Sequence, residues 1–288
     1  MTLIAFVGSV FSPHYARARR RLGDAGALPQ AHCALNLSLY RRPPGRTRYE
    51  RLWAMTERGA QQLQRGAHEL RIGPNRLAWG ADGDLRIDVD EWTTPWPRRL
   101  RGRIHLQPEQ LPGRGFALDA AGRHHWQPIA PRARIELDFD APKLRWQGEA
   151  YLDANVGTRP LERDFSSWQW SRSALHDQRS RVLYDVQAAD GSERALALDF
   201  TPDGQVRALP LPPRQALPPS AWGLARGSRA DRPPVLLGTL ESGPFYCRSL
   251  LQHEAGGPLA VHESLSLQRF DQAWVQALLP FRIARRGR

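Results

Sequence analysis

Short segments of alternating apolar and polar residues, closed off by glycine-, aspartate- and proline-containing turns, recur along the whole chain and limit its fold more than any other feature. They include "ALNLSLY" (34–40), "LRIDVD" (85–90), "RLRGRIHLQP" (99–108), "ARIELDF" (133–139) and "LRWQGEAYLDA" (144–154). They continue with "SRVLYDVQA" (180–188), "RALALDF" (194–200), "GPFYCRSLLQ" (243–252) and "HESLSLQRF" (262–270). Successive side chains of a strand point to opposite faces, so each segment reads as a strand with one packed and one polar face. The turns between them ("ADGD", "AAGR", "ADGS", "TPDG", "AGGP") make antiparallel barrels or sandwiches the expected class. Only "PHYARARRRLG" (13–23) and "FDQAWVQALL" (270–279) read as short helices, and the proline-rich "PLPPRQALPPS" (210–220) as a stiff loop. A chain of 288 residues accommodates about two domains. The two halves carry similar numbers of strands without an exact repeat. The expected architecture is all-β, with two antiparallel β-barrel domains packed together, residues 1–147 and 148–288.

Composition removes several functional classes. No apolar run reaches the length of about 18 residues that a membrane-spanning helix requires. The opening "MTLIAFVGSVFSP" lacks a basic leader, so no secretory signal is expected. Cys33 and Cys247 stand far apart and fit reduced thiols in a cytoplasmic protein. The net charge of +12 is uneven: residues 1–147 hold 24 basic and 14 acidic side chains, residues 148–288 hold 17 and 15. All the basic residues but Lys143 are arginine, and apart from "RARRR" (17–21) and "RIARRGR" (282–288) they are dispersed rather than clustered with aromatics. That dispersal argues against nucleic acid as a partner. A basic first half suits an anionic membrane surface as well as it suits water. No phosphate-binding loop, dinucleotide fingerprint, nucleophile elbow or zinc motif is present, and the nine histidines show no metal spacing. Neither a cofactor nor a metal is expected.

Two strands carry candidate chemistry. In "EAYLDANVG" (149–157), Tyr151, Asp153 and Asn155 share one face and Leu152 and Ala154 the other. In "GRHHWQP" (122–128), His124 and Trp126 share a face that His125 does not. Taken singly, a His–Trp pair is usually packed core and a strand aspartate usually solvated. Together they would set a carboxyl beside two π-faces and an imidazole, and the short separation of the strands makes them candidate neighbours in one sheet.

The chain also resembles a known family over nearly its whole length. The stretches that carry the likeness are "IAFVGSVFSPHY" (4–15), "HCALNLSLY" (32–40), "WAMTERG" (53–59), "HHWQPIAPRARIEL" (124–137), "LRWQGEAYLDANVGTRPLE" (144–162), "WQWSR" (168–172) and "PFYCRSLL" (244–251). "HESLSLQRF" and "LPFRIAR" extend it towards the C-terminus. They resemble the bacterial carotenoid 1,2-hydratases, also called hydroxyneurosporene synthases. The resemblance implies two lipocalin-like barrels and cofactor-independent addition of water to the terminal 1,2 double bond of an acyclic carotenoid such as lycopene or neurosporene. It places the acid/base centre on His124, Trp126, Tyr151 and Asp153.

In that reading Asp153 is the general acid, Trp126 and Tyr151 offer π-faces to a tertiary cation, and His124 hydrogen-bonds Asp153 or positions water. The family usually continues upstream of "LIAFVG" with a further aromatic strand, whereas this chain begins at Met1; "ESGPFYC" replaces a more acidic, threonine-containing version. A lipid-dwelling substrate further implies peripheral contact with the inner or photosynthetic membrane, with Arg17, Arg19, Arg20 and Arg21 as the expected basic face. The competing expectation is a lipocalin-like carrier that binds an isoprenoid without chemistry. The sequence carries no signal for oligomeric state.

Overall fold

A computed structural model of the chain describes residues 1–9, 11–46, 48–254 and 256–286. β1 (Thr2–Val7), β2 (Cys33–Arg41) and β3 (Glu50–Arg58) form a small antiparallel sheet. β4 (Leu63–Arg65), β5 (Glu69–Ile72), β6 (Asn75–Trp79), β7 (Leu85–Trp92) and β8 (Arg99–Pro108) run as a meander. The short β9 (Phe116–Ala117) and the long hairpin of β10 (His124–Ala141) and β11 (Lys143–Gly157) complete that sheet. β12 (Phe165–Ala174), β13 (Ser180–Ala188), β14 (Glu193–Phe200) and β15 (Val206–Ala208) open a further sheet. β16 (Arg214–Leu217) and β17 (Arg226–Arg229) pair apart from it. β18 (Val235–Ser242), β19 (Tyr246–Gln252) and β20 (Leu259–Ser266) complete it in the order β15-β14-β13-β12-β20-β19-β18. β21 (Ala284–Arg286) returns to pair with β3, in parallel.

The all-β, antiparallel expectation therefore holds, with local differences that include several strands, β1, β12 and β18 among them, beyond those the alternation marked. The proline-rich segment is not loop throughout, because Arg214–Leu217 finds a partner strand in Arg226–Arg229. The alternation of 262–270 stops being strand at Ser266, whose hydroxyl caps a helical turn by accepting from the Arg269 amide at 3.2 Å. β3 escaped the alternation reading because its C-terminal half is buried on both faces.

Four short helices gather on one side: α1 (Pro13–Leu22), α2 (Leu161–Asp164), α3 (Leu267–Phe270) and α4 (Ala273–Leu278), the last leading into a 3₁₀ turn at Leu279–Phe281. α1 starts where its sequence says it should. Ser12 accepts from the His14 and Tyr15 amides, Pro13 occupies the first turn, Arg19–Arg21 fill the last and Gly23 follows at φ +74°.

Two main apolar cores result. One joins Leu35, Leu37, Leu39, Leu85, Ile87, Val89, Ile104 and Leu106 to Ile135, Leu137 and Phe139 of β10. The other joins Phe165, Val182, Tyr184, Val186, Leu198, Phe200 and Leu265 to Trp126 of the same β10. In β10 the buried positions are even-numbered from His124 to Ala130 and odd-numbered from Ala133 to Phe139. The parity changes at bulges between Pro128 and Ala133, where two prolines also withhold ladder donors. β11 is a wall with a core on each side: Leu144, Trp146, Ala150 and Leu152 pack on the first, Tyr151 on the second.

Candidate active site

The polar face of "EAYLDANVG" looks into the second core. Asp153 and Tyr151 keep partial exposure while protein surrounds them, as side chains lining an internal space do. The hairpin register sets Asn155 opposite Trp126 and Asp153 opposite Pro128, which brings the Trp126 indole to the aspartate from the neighbouring strand. Trp126 Nε1–H donates to Asp153 Oδ2 at 2.8 Å, and the Tyr151 hydroxyl donates to the same oxygen at 2.9 Å. Oδ1 has no hydrogen bond among the described residues and is not sealed off from open space. It is the oxygen on which a proton would sit.

Burial raises the Asp153 carboxyl from its ordinary 3.8 to about 6. The bonds from Trp126 and Tyr151 hold it back, nearby Glu263 pushes it further up and Arg248 pulls it down. Arg248 is no counter-ion for Asp153, being committed to Glu263 at 2.5 and 2.9 Å and to Glu241 at 2.8 Å. A carboxyl thus tuned is half protonated near pH 6 and can act as a general acid.

Aromatic rings enclose it. Tyr184 lies 5.5 Å from Trp126, and Trp170 lies 5.3 Å from Tyr151, between centroids. Phe116 and Phe200 pack on Trp126 at 5.5 and 6.4 Å. The Trp170 Nε1 and Tyr246 Oη are buried and have no hydrogen-bond partner among the described residues. Burial drives the Tyr151 and Tyr184 hydroxyls far above 10, leaving them neutral donors.

Three of the four sequence-derived residues are therefore together. His124 is elsewhere on the same face. Its Nε2 pairs with Asp164 Oδ2 at 2.8 Å, its ring lies 4.7 Å from that of Phe165, and Arg123 holds the other Asp164 oxygen at 2.9 Å. The expected contact with Asp153 is not made, because an imidazole two residues before Trp126 is captured by the carboxylate at the end of α2. Gly157 makes room for that ring: a Cβ there would stand 2.5 Å from His124 Nδ1.

Sequence reasoning missed Tyr184, Tyr246, Glu263, Arg248 and Asp164. The register explains the first and third, since Trp170 of β12 pairs with Tyr184 on one side and Glu263 on the other, and strand partners this distant in sequence are not legible from spacing. Of the other tryptophans, Trp168 and Trp170 pack on this core, whereas Trp79 belongs to the first core and Trp53 to a third cluster. Among the described residues no group of three or more His, Cys, Asp or Glu is placed to hold a metal ion. Cys33 and Cys247 are free and buried.

Comparison with known proteins gives a consistent picture. The pattern of the family described as "Carotenoid hydratase CrtC" matches residues 3–288. A protein of Thiocapsa roseopersicina named acyclic carotenoid 1,2-hydratase is 47% identical over 292 residues, covering 100% of this chain and 69% of the relative. One of Rhodobacter capsulatus with the same name is 37% identical, covering 99% of this chain and 98% of that protein. Among solved structures, an AttH protein of Nitrosomonas europaea superposes with a TM-score of 0.54 at 15% identity, over 81% of this chain and 80% of that one. This last likeness concerns the fold alone.

Proposed function

The chain belongs to the carotenoid hydratase CrtC family, and from that premise we propose that it hydrates the terminal 1,2 double bond of an acyclic carotenoid with Asp153 as the general acid. It is a hydro-lyase, working in carotenoid biosynthesis. The observation that carries the assignment of Asp153 is the pair of donors on Oδ2, which leaves Oδ1 to hold a proton over an aromatic-walled space.

Protonation of C2 by Oδ1–H places positive charge on the more substituted C1. Trp126, Tyr151 and Trp170 offer π-faces to that tertiary cation. Water forms the C1–O bond, and its surplus proton returns to the Asp153 carboxylate, which restores the acid. The sum is one water added across one double bond, with no redox change and no cofactor demanded by the chemistry. His124, fixed by Asp164, acts in this scheme by setting the strand end that presents Trp126 rather than by touching the substrate.

Two barrel-like halves, divided near residue 147, are our proposed organisation; the two separate apolar cores support it, and β11, with a face on each, is the strand they share. We place the protein in the cytoplasm, peripheral to the inner or photosynthetic membrane. Among the described residues no helix is long and apolar enough to cross a membrane. The deciding experiment incubates purified protein with lycopene or neurosporene dispersed in detergent. A 1-hydroxy product supports the enzyme, whereas carotenoid binding without product would leave the carrier reading in its place.

A further inference from the structure

The segment "AWVQALLPF" (273–281) is apolar on the side where a surface helix should be polar. Its inner face is accounted for: Val275 and Leu279 are buried, and Leu279 packs with Phe270, Ile283 and Met55. Its outer face carries Trp274, Leu278 and Phe281, at the i, i+4, i+7 spacing of a helical stripe, and they are 44%, 43% and 76% exposed. Trp222 extends this apolar surface, stacked on Trp274 with centroids 6.4 Å apart and itself exposed. A helix apolar on both faces fits water poorly and fits a bilayer boundary well.

Basic residues flank the stripe. α1 packs against the 3₁₀ turn that contains Phe281. It presents Arg17, Arg20 and Arg21 outward, with the exposed Leu22 beside them. Arg19, expected from the sequence to join them, is instead buried and paired with Glu162 of α2, so the basic face has three arginines rather than four.

Beneath the stripe, aromatic packing continues from α4 to the second core. Phe270, in the cluster under α4, packs against Phe11 at 5.8 Å and Phe245 at 5.0 Å. Phe11 and Phe245, 5.7 Å apart, also pack on the second core, the one that holds Trp126 and Tyr151.

We propose that the outer face of α4 and its 3₁₀ turn, with Trp222 and the exposed arginines of α1, is the surface that seats the protein on an anionic lipid bilayer and takes up the polyene past Phe11 and Phe245. The identity of the cargo rests on the hydration reading; the docking does not. The three arginines supply the preference for anionic headgroups, and the aromatic stripe supplies insertion that does not depend on headgroup charge.

Co-sedimentation with vesicles of phosphatidylcholine alone, and of phosphatidylcholine mixed with phosphatidylglycerol, tests the docking. Wild type is expected to favour the anionic vesicles by about a hundredfold at low salt, and by much less at high salt, where the screening length shrinks. Arg17→Glu/Arg20→Glu/Arg21→Glu is expected to erase that preference while leaving the weaker binding to neutral vesicles. Trp274→Asp/Phe281→Asp is expected to weaken binding to both vesicle types about tenfold or more, with only a small change in thermal melt, because neither side chain belongs to the buried core. It should slow hydration of vesicle-embedded lycopene while leaving detergent-dispersed lycopene hydrated at the wild-type rate.

No vesicle binding by wild type at low salt, or a Trp274/Phe281 variant that binds as wild type does, overturns the proposal. So does a wild-type dimer in light scattering that the same variant dissolves, since the stripe would then cover a second copy of the chain. If wild type fails to hydrate lycopene even in detergent, the functional reading falls while the vesicle results still judge the docking.

Discussion

The two ends of the β10–β11 hairpin are built from one continuous pair of strands yet do different work. At the distal end, Ala133–Phe139 against Leu144–Ala150 keeps an unbroken register. Its inward residues are Ala133, Ile135, Leu137 and Phe139, and its outward ones are Arg134, Glu136, Asp138 and Asp140. Ion pairs there, such as Arg145–Asp138 at 2.7 Å, lie in solvent and contribute little. At the proximal end, Pro128, Pro131 and the bulges shift the buried parity, and the inward residues become His124, opposite Gly157, and Trp126, bonded to Asp153 of β11. Regular pairing builds a core, whereas interrupted pairing re-aims polar side chains into one. Stability should therefore belong to the distal end and chemistry to the proximal end, and substitutions at the two ends should separate them.

The largest effect is expected at Asp153. Asp153→Asn keeps an oxygen to accept from Trp126 and Tyr151 but has no acidic proton for carbon, so hydration of detergent-dispersed lycopene should fall more than about 100-fold. The same change should stabilise the fold above neutrality. The native carboxyl titrates near 6 and the unfolded one near 3.8, so between those values the native state binds more protons and stability falls as pH rises. That loss is complete above about pH 7 and amounts to no more than about 3 kcal/mol. The variant, which has nothing to ionise, should melt higher than wild type at pH 8 and not at pH 4. Equal melting at pH 8 would mean that Asp153 is not desolvated in the folded protein.

At the distal end, Leu137→Ala empties a fully buried position of the first core and should cost about 2–5 kcal/mol of stability. Measured by denaturant unfolding alongside turnover per folded molecule at low temperature, it should lower the midpoint and leave the rate near wild type. A rate that drops with the midpoint would show the two ends to be mechanically one.

The contrast between the ends also explains what was legible beforehand. Alternation located the longer half-buried strands such as β2, β8, β10, β11, β13 and β14, since such strands write their faces into the sequence, and it put Tyr151 with Asp153 and His124 with Trp126 because those relations are local. It did not reveal the parity change in β10, where prolines replace the ladder. Nor did it show that Tyr184 and Glu263 flank Trp170, a matter of long-range register. The contact of His124 with Asp153 fails to form for a related reason: its partner Asp164 sits 40 residues on, beyond a turn and a helical segment. The strand showed which way the imidazole points but not which carboxylate meets it.

The smallest expected effects concern the pH at which activity fades, and they discriminate most finely. If Asp153 acts in its protonated form, kcat/KM should be flat below about pH 6 and fall with unit slope above it. An apolar chain that displaces water from the site desolvates the carboxyl further, so the fall in kcat should come at higher pH than the fall in kcat/KM. Two substitutions should move the kcat/KM limb in opposite directions, each by about half to one pH unit. Glu263→Gln removes a negative charge that favours the neutral acid and leaves Arg248 less compensated, so the limb should move down. Tyr151→Phe removes a donor that favours the carboxylate, so the limb should move up even if the limiting rate falls. General damage to the site would lower both rates and move neither limb, and Leu137→Ala should leave the limb where it is. Limbs that shift together, or that stay fixed in both variants, would remove Asp153 from the titration and with it the division of labour between the two ends of the hairpin.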